Sequence, residues 1–474
     1  MKQHLYINGE WREAAEYMPL YAPYSGELLA EIAQASEVHV NEAIEAAKTA
    51  LKKMVALSSF ERASILEKLV LQLEDSKEDL ALLIAKEAAK PLKAARGEVE
   101  RTIQTYKFAA EEAKRISGET LPLDAAPGTD GRLAYTVRKP IGVVGAITPF
   151  NFPMNLVAHK VGPAIAAGNT VVLKPASQTP LSSYALANML EKAGLPKGAF
   201  NIVSGKGSVV GETLVKDQRI AAITFTGSPE VGIAMKNKAG LKRVTLELGS
   251  NSAVIIDEGV ELTDELIERI KWGAFVYNGQ VCISVQRIFV HESLFAAFAE
   301  KFAAAVKTLV MGDPLHEGTD VTALISKQDV TRIHEWVQEA VAAGATVIAG
   351  GNKYDERMYE PTVLVNVRDD MSVQCKEIFG PVVTLNSYST LNEAIERVNR
   401  SRYGLQAGVF TSHLPRALQA IDQLEVGGVM INDVPTFRVD HMPYGGIKES
   451  GTGREGIKYA IEEMTELKFV CIKK

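Results

Sequence analysis

Ile141-Gly142-Val143-Val144-Gly145-Ala146-Ile147-Thr148 is an apolar run set between Pro140 and Pro149. It is too short for a stable helix and carries no alternation, so it reads as a strand buried on both faces. Similar runs recur at Thr170 to Leu173, Phe200 to Val203, Ile220 to Phe225, Val244 to Leu248 and Ala253 to Ile256. Helical stretches separate them at His159 to Ala167, Ser182 to Ala193, Ser208 to Val215 and Ser228 to Ala239. Strands that alternate with crossover helices make a mostly parallel sheet wound on both faces, so the fold class is α/β.

Outward from this core, Ser36 to Ala113 reads as long helices. Ser36 and Ser59 are candidate N-caps, Ile65, Leu66, Leu69, Val70 and Leu73 fall on one face, and Pro91 ends one helix. Leu121 to Gly131 turns to Pro, Asp, Gly and Ala, and Leu133 to Arg138 alternates, which predicts a strand leaving the compact body as a hairpin or interface arm. A second α/β alternation runs from Leu266 to about Val429, with strands near Arg287 to His291, Thr346 to Ala349, Val382 to Ser387 and Gly408 to Thr411. The terminal stretch Leu467 to Ile472 alternates and has no partner nearby in sequence, so it is expected to pair with another subunit.

The chain has 474 residues, 46% hydrophobic and 23% charged, enough for two or three domains. A formal charge of −6 without a like-charged block argues against nucleic acid and against anionic membranes. The apolar runs are too short to span a bilayer, and the amino end lacks a signal-like apolar stretch. Cys282, Cys375 and Cys471 form no CxxC pair, which suggests neither a disulfide framework nor a metal site and fits a reducing cytoplasm. Trp11, Met18 and Trp272 read as packing residues, and Cys375 and Cys471 are given no role.

Two turns carry phosphate-binding character. Gly205, Gly207 and Gly211 follow a strand and open a helix, but with a GxGxxxG spacing one residue longer than the dinucleotide fingerprint, and a turn that needs glycine only for its backbone angles explains them equally well. Phe225-Thr226-Gly227-Ser228 again joins strand to helix, where free N–H groups and the helix dipole favour a pyrophosphate. Cys282, within Asn278-Gly279-Gln280-Val281-Cys282-Ile283-Ser284, leads toward the strand around Arg287. Glu247 closes an apolar strand in Leu246-Glu247-Leu248-Gly249, a costly place for a carboxylate unless it is protonated or functional. A thiol nucleophile and a tunable base are therefore both available.

With these residues in view, the chain resembles the aldehyde dehydrogenase superfamily over essentially its whole length. The matching motifs are Thr148-Pro149-Phe150-Asn151-Phe152-Pro153, Lys174-Pro175, Phe225-Thr226-Gly227-Ser228, Glu247-Leu248-Gly249, Gly279-Gln280-Val281-Cys282, Glu377-Ile378-Phe379-Gly380-Pro381 and Pro443-Tyr444-Gly445-Gly446. The resemblance implies two doubly wound α/β domains plus a small β oligomerisation arm. Residues 1–120 and 141–250 would form the nucleotide-binding domain, 251–448 the catalytic domain, and 121–140 with 449–474 the arm of a homodimer or homotetramer.

The resemblance also implies the chemistry. Cys282 would attack a small-molecule aldehyde, Asn151 and the Cys282 N–H would stabilise the oxyanion, and Glu247 would activate the water that resolves the thioester. A nucleophile in this setting is expected to be more acidic than a free cysteine. Relatives that pass the acyl group to coenzyme A lack the glutamate at this position, so release of a free carboxylate is implied. NAD or NADP would lie along Thr148, Pro149, Phe150, Lys174, Ala176, Ser177, Gly207, Gly211, Phe225, Thr226, Gly227, Ser228, Leu248, Glu377 and Phe379. NAD-selective relatives place a glutamate at Ser177; without it a 2′-phosphate is not repelled, and NADP is expected to be accepted.

Substrate residues are expected at Arg101, Phe152, His159, Arg438 and His441. Arg101 and Arg438 resemble the anion-binding arginines of non-phosphorylating glyceraldehyde-3-phosphate dehydrogenases, although Val281 replaces a third arginine found there. The competing reading pairs Arg101 with Glu98 or Glu100 and makes Arg438 a loop brace. A short hydroxylated or anionic aldehyde is the expected substrate: lactaldehyde-like, semialdehyde-like, sulfolactaldehyde-like or a phosphorylated triose. The alternatives are a broad dehydrogenase for neutral aldehydes and a non-catalytic protein on the same fold.

Overall fold

A computed structural model describes residues 1–473. The apolar run from Ile141 folds as the strand Val143–Ile147, buried at every residue, at the centre of an eight-stranded sheet. In spatial order the strands are Gly451–Thr452, Arg243–Glu247, Ile220–Thr226, Val143–Ile147, Thr170–Lys174, Phe200–Ile202, Leu5–Ile7 and Glu10–Arg12. The five in the middle are parallel, and the outer three are antiparallel additions. Helix Asn155–Ala167 covers one face and is buried throughout, as an apolar crossover helix must be. Helices Glu37–Ala56, Ser59–Asp75, Lys77–Ala88 and Leu92–Ala113 complete the layers, with an N-cap at Ser36 as expected. The second cap belongs to Ser58 and not Ser59: the Ser58 hydroxyl accepts the Glu61 N–H while the Glu61 carboxylate takes the Ser58 N–H.

The second sheet has seven strands in the order Thr346–Ala349, Thr362–Val365, Val382–Tyr388, Arg287–His291, Ala253–Ile256, Gln406–Phe410 and Gly428–Ile431, parallel except for the first pair. Arg287 is buried in it, donating to the main-chain oxygens of Asn251 and Arg397.

Three expectations change. The terminal strand Thr465–Lys473 pairs with Arg132–Pro140 of its own chain, residue for residue from Thr465 opposite Pro140 to Lys473 opposite Arg132. Sequence distance hid a partner that the fold brings alongside. The segment after residue 448 is more than an arm, because Gly451–Thr452 extends the first sheet beside Arg243–Glu247. The stretch from Ser208 is a π-helical turn, Gly207–Gly211, running into a short helix, Glu212–Lys216. Among the described residues, no helix is long and apolar enough to cross a membrane.

Candidate active site

Helix Asp264–Phe275 is followed, after Val276, by three consecutive residues with left-handed backbones: Tyr277 (φ 49°), Asn278 (φ 57°) and Gly279 (φ 70°). Two of them carry side chains, each costing about 1–3 kcal/mol, so the surroundings must hold the turn. The Tyr277 hydroxyl donates to Ala88 O at 2.9 Å, and the Asn278 side chain accepts the Thr322 N–H at 2.8 Å and donates to Ala323 O at 3.0 Å. A Cβ on Gly279 would lie 2.3 Å from Gly380 O, so only glycine fits. This braced turn delivers Cys282, half-buried, to the wall of a cavity of about 790 Å³ that Phe152, Tyr444, Arg101 and Arg438 also line.

Asn151 reaches the same loop: its Nδ2 donates to Gln280 O at 2.9 Å, and its Oδ1 is buried without a partner. Its main-chain oxygen accepts from Lys90 Nζ at 2.6 Å, and Lys90 is buried in a pair with Glu98. Glu98 also accepts the N–H groups of Met154 and Asn155, anchoring the start of the helix that follows Asn151. Lys90 and Glu98 were not expected from the sequence. The available signal was that Glu98 shares the apolar helix face of Ala95, Val99 and Thr102.

Glu247 ends its strand 3% exposed, and neither carboxylate oxygen has a hydrogen-bond partner. Burial pushes its pKa well above the usual value and the neighbouring Glu455 adds to this, against the opposing charges of Arg438, Lys160 and Arg454. Once ionised, such a carboxylate is a stronger base than an ordinary one. The thiol departs from the expectation of an acidic nucleophile. Burial pushes Cys282 up to about 12, with Glu377 adding to the shift and Arg438 opposing it. The groups around the sulfur are mostly apolar or carboxylate.

The arginines keep other company than the sequence suggested. Arg101 pairs with Asp440 at 2.7 Å, whereas Glu98 belongs to Lys90 and Glu100 to Lys77. Arg438 lies 3.5 Å from the Tyr444 ring centroid and donates to Glu455 at 2.9 Å. Both still face the cavity. His159 and His441 do not line it. His159 is buried behind the wall, 2.9 Å from Asp440, because Asp440 turns inward; His441 is exposed, its ring 4.6 Å from that of Phe108. Trp272, read as a packing residue, is instead 44% exposed on the cavity rim beneath Arg269.

A second cluster lies at the carboxyl ends of the first sheet, where open α/β sheets bind ligands. Lys174 closes its strand; burial lowers its pKa to about 8, and its ammonium has one partner, Pro175 O at 3.3 Å. Ala176 is buried and Ser177 exposed beside it. Thr148 donates its N–H to Lys174 O at 3.2 Å, and Phe150 meets Phe379 edge-on with centroids 5.7 Å apart. Phe379 holds φ 50°, and Glu377 next to it accepts the Ser250 N–H at 2.9 Å. Helix Pro229–Lys238 begins at Ser228 with no side-chain cap, leaving its first N–H groups to an anion. Phe225, Thr226 and Leu248 lie beneath this turn. The Phe225 ring fills the space a Cβ on Gly227 would need, Thr226 accepts from Lys160 at 2.8 Å, and Leu248 packs under Gly232. Gly207 is exposed and Gly211 buried in the π turn. A sparsely partnered buried ammonium, a second polar anchor at Glu377 and an uncapped helix end fit a dinucleotide.

The chain matches the model of the aldehyde dehydrogenase family over residues 11–470. It is 48% identical over 473 residues to a 3-sulfolactaldehyde dehydrogenase of Priestia aryabhattai, covering 100% of this chain and 98% of the relative. It is 41% identical to a lactaldehyde dehydrogenase of Methanococcus aeolicus, with 99% of each chain covered. Among solved structures, aldehyde dehydrogenase 21 of Physcomitrella patens, in complex with the reaction product succinate, superposes with a TM-score of 0.97 at 42% identity, covering 100% of this chain and 98% of that one. A glyceraldehyde-3-phosphate dehydrogenase of Methanocaldococcus jannaschii complexed with NADP gives 0.93 at 40% identity, covering 98% and 100%. The family match spans nearly the whole sequence, and the solved structures share its fold: the chain belongs to the aldehyde dehydrogenase family.

Proposed function

We propose that this enzyme oxidises a short, hydroxylated aldehyde with an anionic tail to its carboxylate, using NAD or NADP. The observation that carries the reading is that the nucleophile candidate Cys282 and two arginines, Arg101 and Arg438, share the wall of one cavity. The names of the relatives, which act on sulfolactaldehyde and lactaldehyde, and the NADP and succinate complexes of the neighbours support it.

Cys282, once deprotonated, attacks the aldehyde carbon, and the carbonyl oxygen becomes an oxyanion facing the Asn151 amide and the Cys282 N–H. The nicotinamide, when bound, supplies the acceptor for the hydride that leaves this carbon. Glu247, as a carboxylate whose raised pKa makes it a stronger base than usual, then takes a proton from the water that attacks the thioester, and Cys282 leaves as the product carboxylate forms. Lys174 and Glu377 would hold the two riboses, the N–H groups after Ser228 the pyrophosphate, and Phe379 the nicotinamide end. Thr148, Pro149, Phe150, Ala176 and Ser177 would border the cofactor from the neighbouring strand ends. The edge strand Thr465–Lys473, with Leu467, Phe469 and Ile472 exposed, supports a homo-oligomer joined through the arm.

The test is reduction of NAD and NADP with neutral, carboxylated, sulfonated and phosphorylated short aldehydes, comparing kcat/KM. Anionic aldehydes are expected to lead by tenfold or more. Neutral aldehydes doing equally well would make the enzyme a generalist and the arginines scaffold.

A further inference from the structure

Behind the cavity wall, the two arginines are joined through buried acids that sequence reading did not single out. Asp440, 4% exposed, accepts from Arg101 Nη2 at 2.7 Å and Nε at 3.3 Å and from Asn155 Nδ2 at 3.1 Å, and its Oδ1 lies 2.9 Å from His159 Nε2. His159 Nε2 in turn lies 3.2 Å from Arg438 Nη2. Arg438 donates to Glu455 at 2.9 Å, and Glu455 also takes Lys160 Nζ at 2.9 Å.

The charges can be followed through this chain. Burial works against ionised Asp440, but His159 and Arg101 hold its carboxyl well below the usual range, so it is an anion at neutral pH. Burial, with Arg438 beside it, lowers the pKa of His159, which favours the neutral ring. Asp440 therefore cancels Arg101. Glu455 is shared by Arg438 and Lys160, which leaves one positive charge in excess, while the Glu247 carboxylate that base catalysis requires offsets the nearby Arg454. The residue before the nucleophile, Val281, adds no cation. A tail with one negative charge balances this surplus. A second negative charge would be desolvated without a partner, and unpaired buried charge is strongly disfavoured.

We infer that Asp440 is a specificity-determining positioning residue: by holding and neutralising Arg101 it restricts the cavity to aldehydes whose tail carries a single negative charge, a sulfonate or a carboxylate, and selects against phosphate monoesters. The inference rests on the anionic reading of the same cavity proposed above. It assigns the selection to a residue that touches Arg101 and need not touch substrate.

The experiment compares kcat/KM of wild type and Asp440→Asn at pH 8, where a phosphate monoester, with a second pKa of about 6, carries nearly two charges. The panel holds neutral, carboxylated, sulfonated and phosphorylated three-carbon aldehydes. In wild type, the better of the two monoanionic substrates is expected to exceed the phosphorylated one by tenfold or more, and its identity tells sulfonate from carboxylate. In Asp440→Asn that ratio is expected to narrow at least tenfold. A purely structural role would lower all four substrates together and leave the ratio unmoved, which would overturn the inference. Equal use of phosphorylated and monoanionic aldehydes by wild type would overturn it too, with the anionic reading intact. A neutral aldehyde matching the monoanions would instead overturn the anionic reading itself. Should the variant fail to fold, competition against wild type with methanesulfonate, acetate and methyl phosphate decides the matter: a monoanion is expected to inhibit at least tenfold more tightly, and the equal or reverse order overturns the inference.

Discussion

The Asn151 side-chain amide donates to the main-chain oxygen of Gln280 at 2.9 Å, tying the loop that follows Val143–Ile147 in the first sheet to the turn that carries Cys282. The proposed oxyanion donor is thus fixed against the turn of the proposed nucleophile by one contact, and the Lys90–Glu98 pair holds the Asn151 backbone from behind. Replacing Asn151 by Ala removes one preorganised donor. The expected loss in kcat is about 10²–10³-fold. A loss below tenfold at saturating aldehyde would remove Asn151 from the oxyanion site.

The thiol makes a prediction opposite to the usual picture of an acidic catalytic cysteine. With its pKa pushed up to about 12, Cys282 in the protein free of cofactor holds little thiolate near neutrality. Its alkylation rate is expected to rise about tenfold per pH unit from about pH 7 to 10 with no plateau, since an ordinary thiol levels off above its pKa of about 8.5. Cys282→Ala supplies the background from Cys375 and Cys471. A plateau below about pH 8.5 would contradict the burial argument.

Glu247 is raised well above its ordinary value of 4.5, so lowering the pH through that raised value protonates the base. The step that needs the carboxylate therefore slows on the acid side and recovers as pH rises. Glu247→Gln is expected to release one equivalent of reduced cofactor per site in a first burst and then turn over about 10²–10⁴-fold more slowly as thioester accumulates. Stopped-flow absorbance reads both phases. Slow turnover without a burst would place Glu247 before hydride transfer.

Ser177 is exposed beside the buried end of Lys174. Ser177→Glu sets a carboxylate where a 2′-phosphate is expected. NADP should lose at least tenfold in kcat/KM, about 1.4 kcal/mol, while NAD is retained. If the two cofactors fall together, the adenosine end lies elsewhere.

Gly279 holds φ 70° with the Gly380 carbonyl 2.3 Å from where a Cβ would be. Gly279→Ala is expected to cost about 2–3 kcal/mol in denaturant unfolding and to displace Cys282 from the cavity wall. A variant with native stability and activity would show that the turn can relax.

Much of this molecule is decided locally and so could be read from its order of residues. Buried parallel strands need uninterrupted apolar runs, which is why Val143–Ile147 and Ala253–Ile256 were legible, and why Glu247 stood out as a carboxylate closing such a run. Cys282, in its glycine-bearing turn, stood out only beside Glu247 and the motifs of the family resemblance. Partnership is a different matter. Thr465–Lys473 finds Arg132–Pro140 only because the chain returns, and Arg101 meets Asp440 across 339 positions of sequence. Loops such as the one bearing Asp440 have no periodicity to mark which side chain turns inward. The thiol's direction of shift likewise depends on the summed burial and charge around one sulfur. The sequence by itself determined the sheets, the family and the reactive residue types. Only the tertiary structure decided their ion-pair partners, the wall of the cavity and the protonation balance, because charge and desolvation act through space and not along the chain.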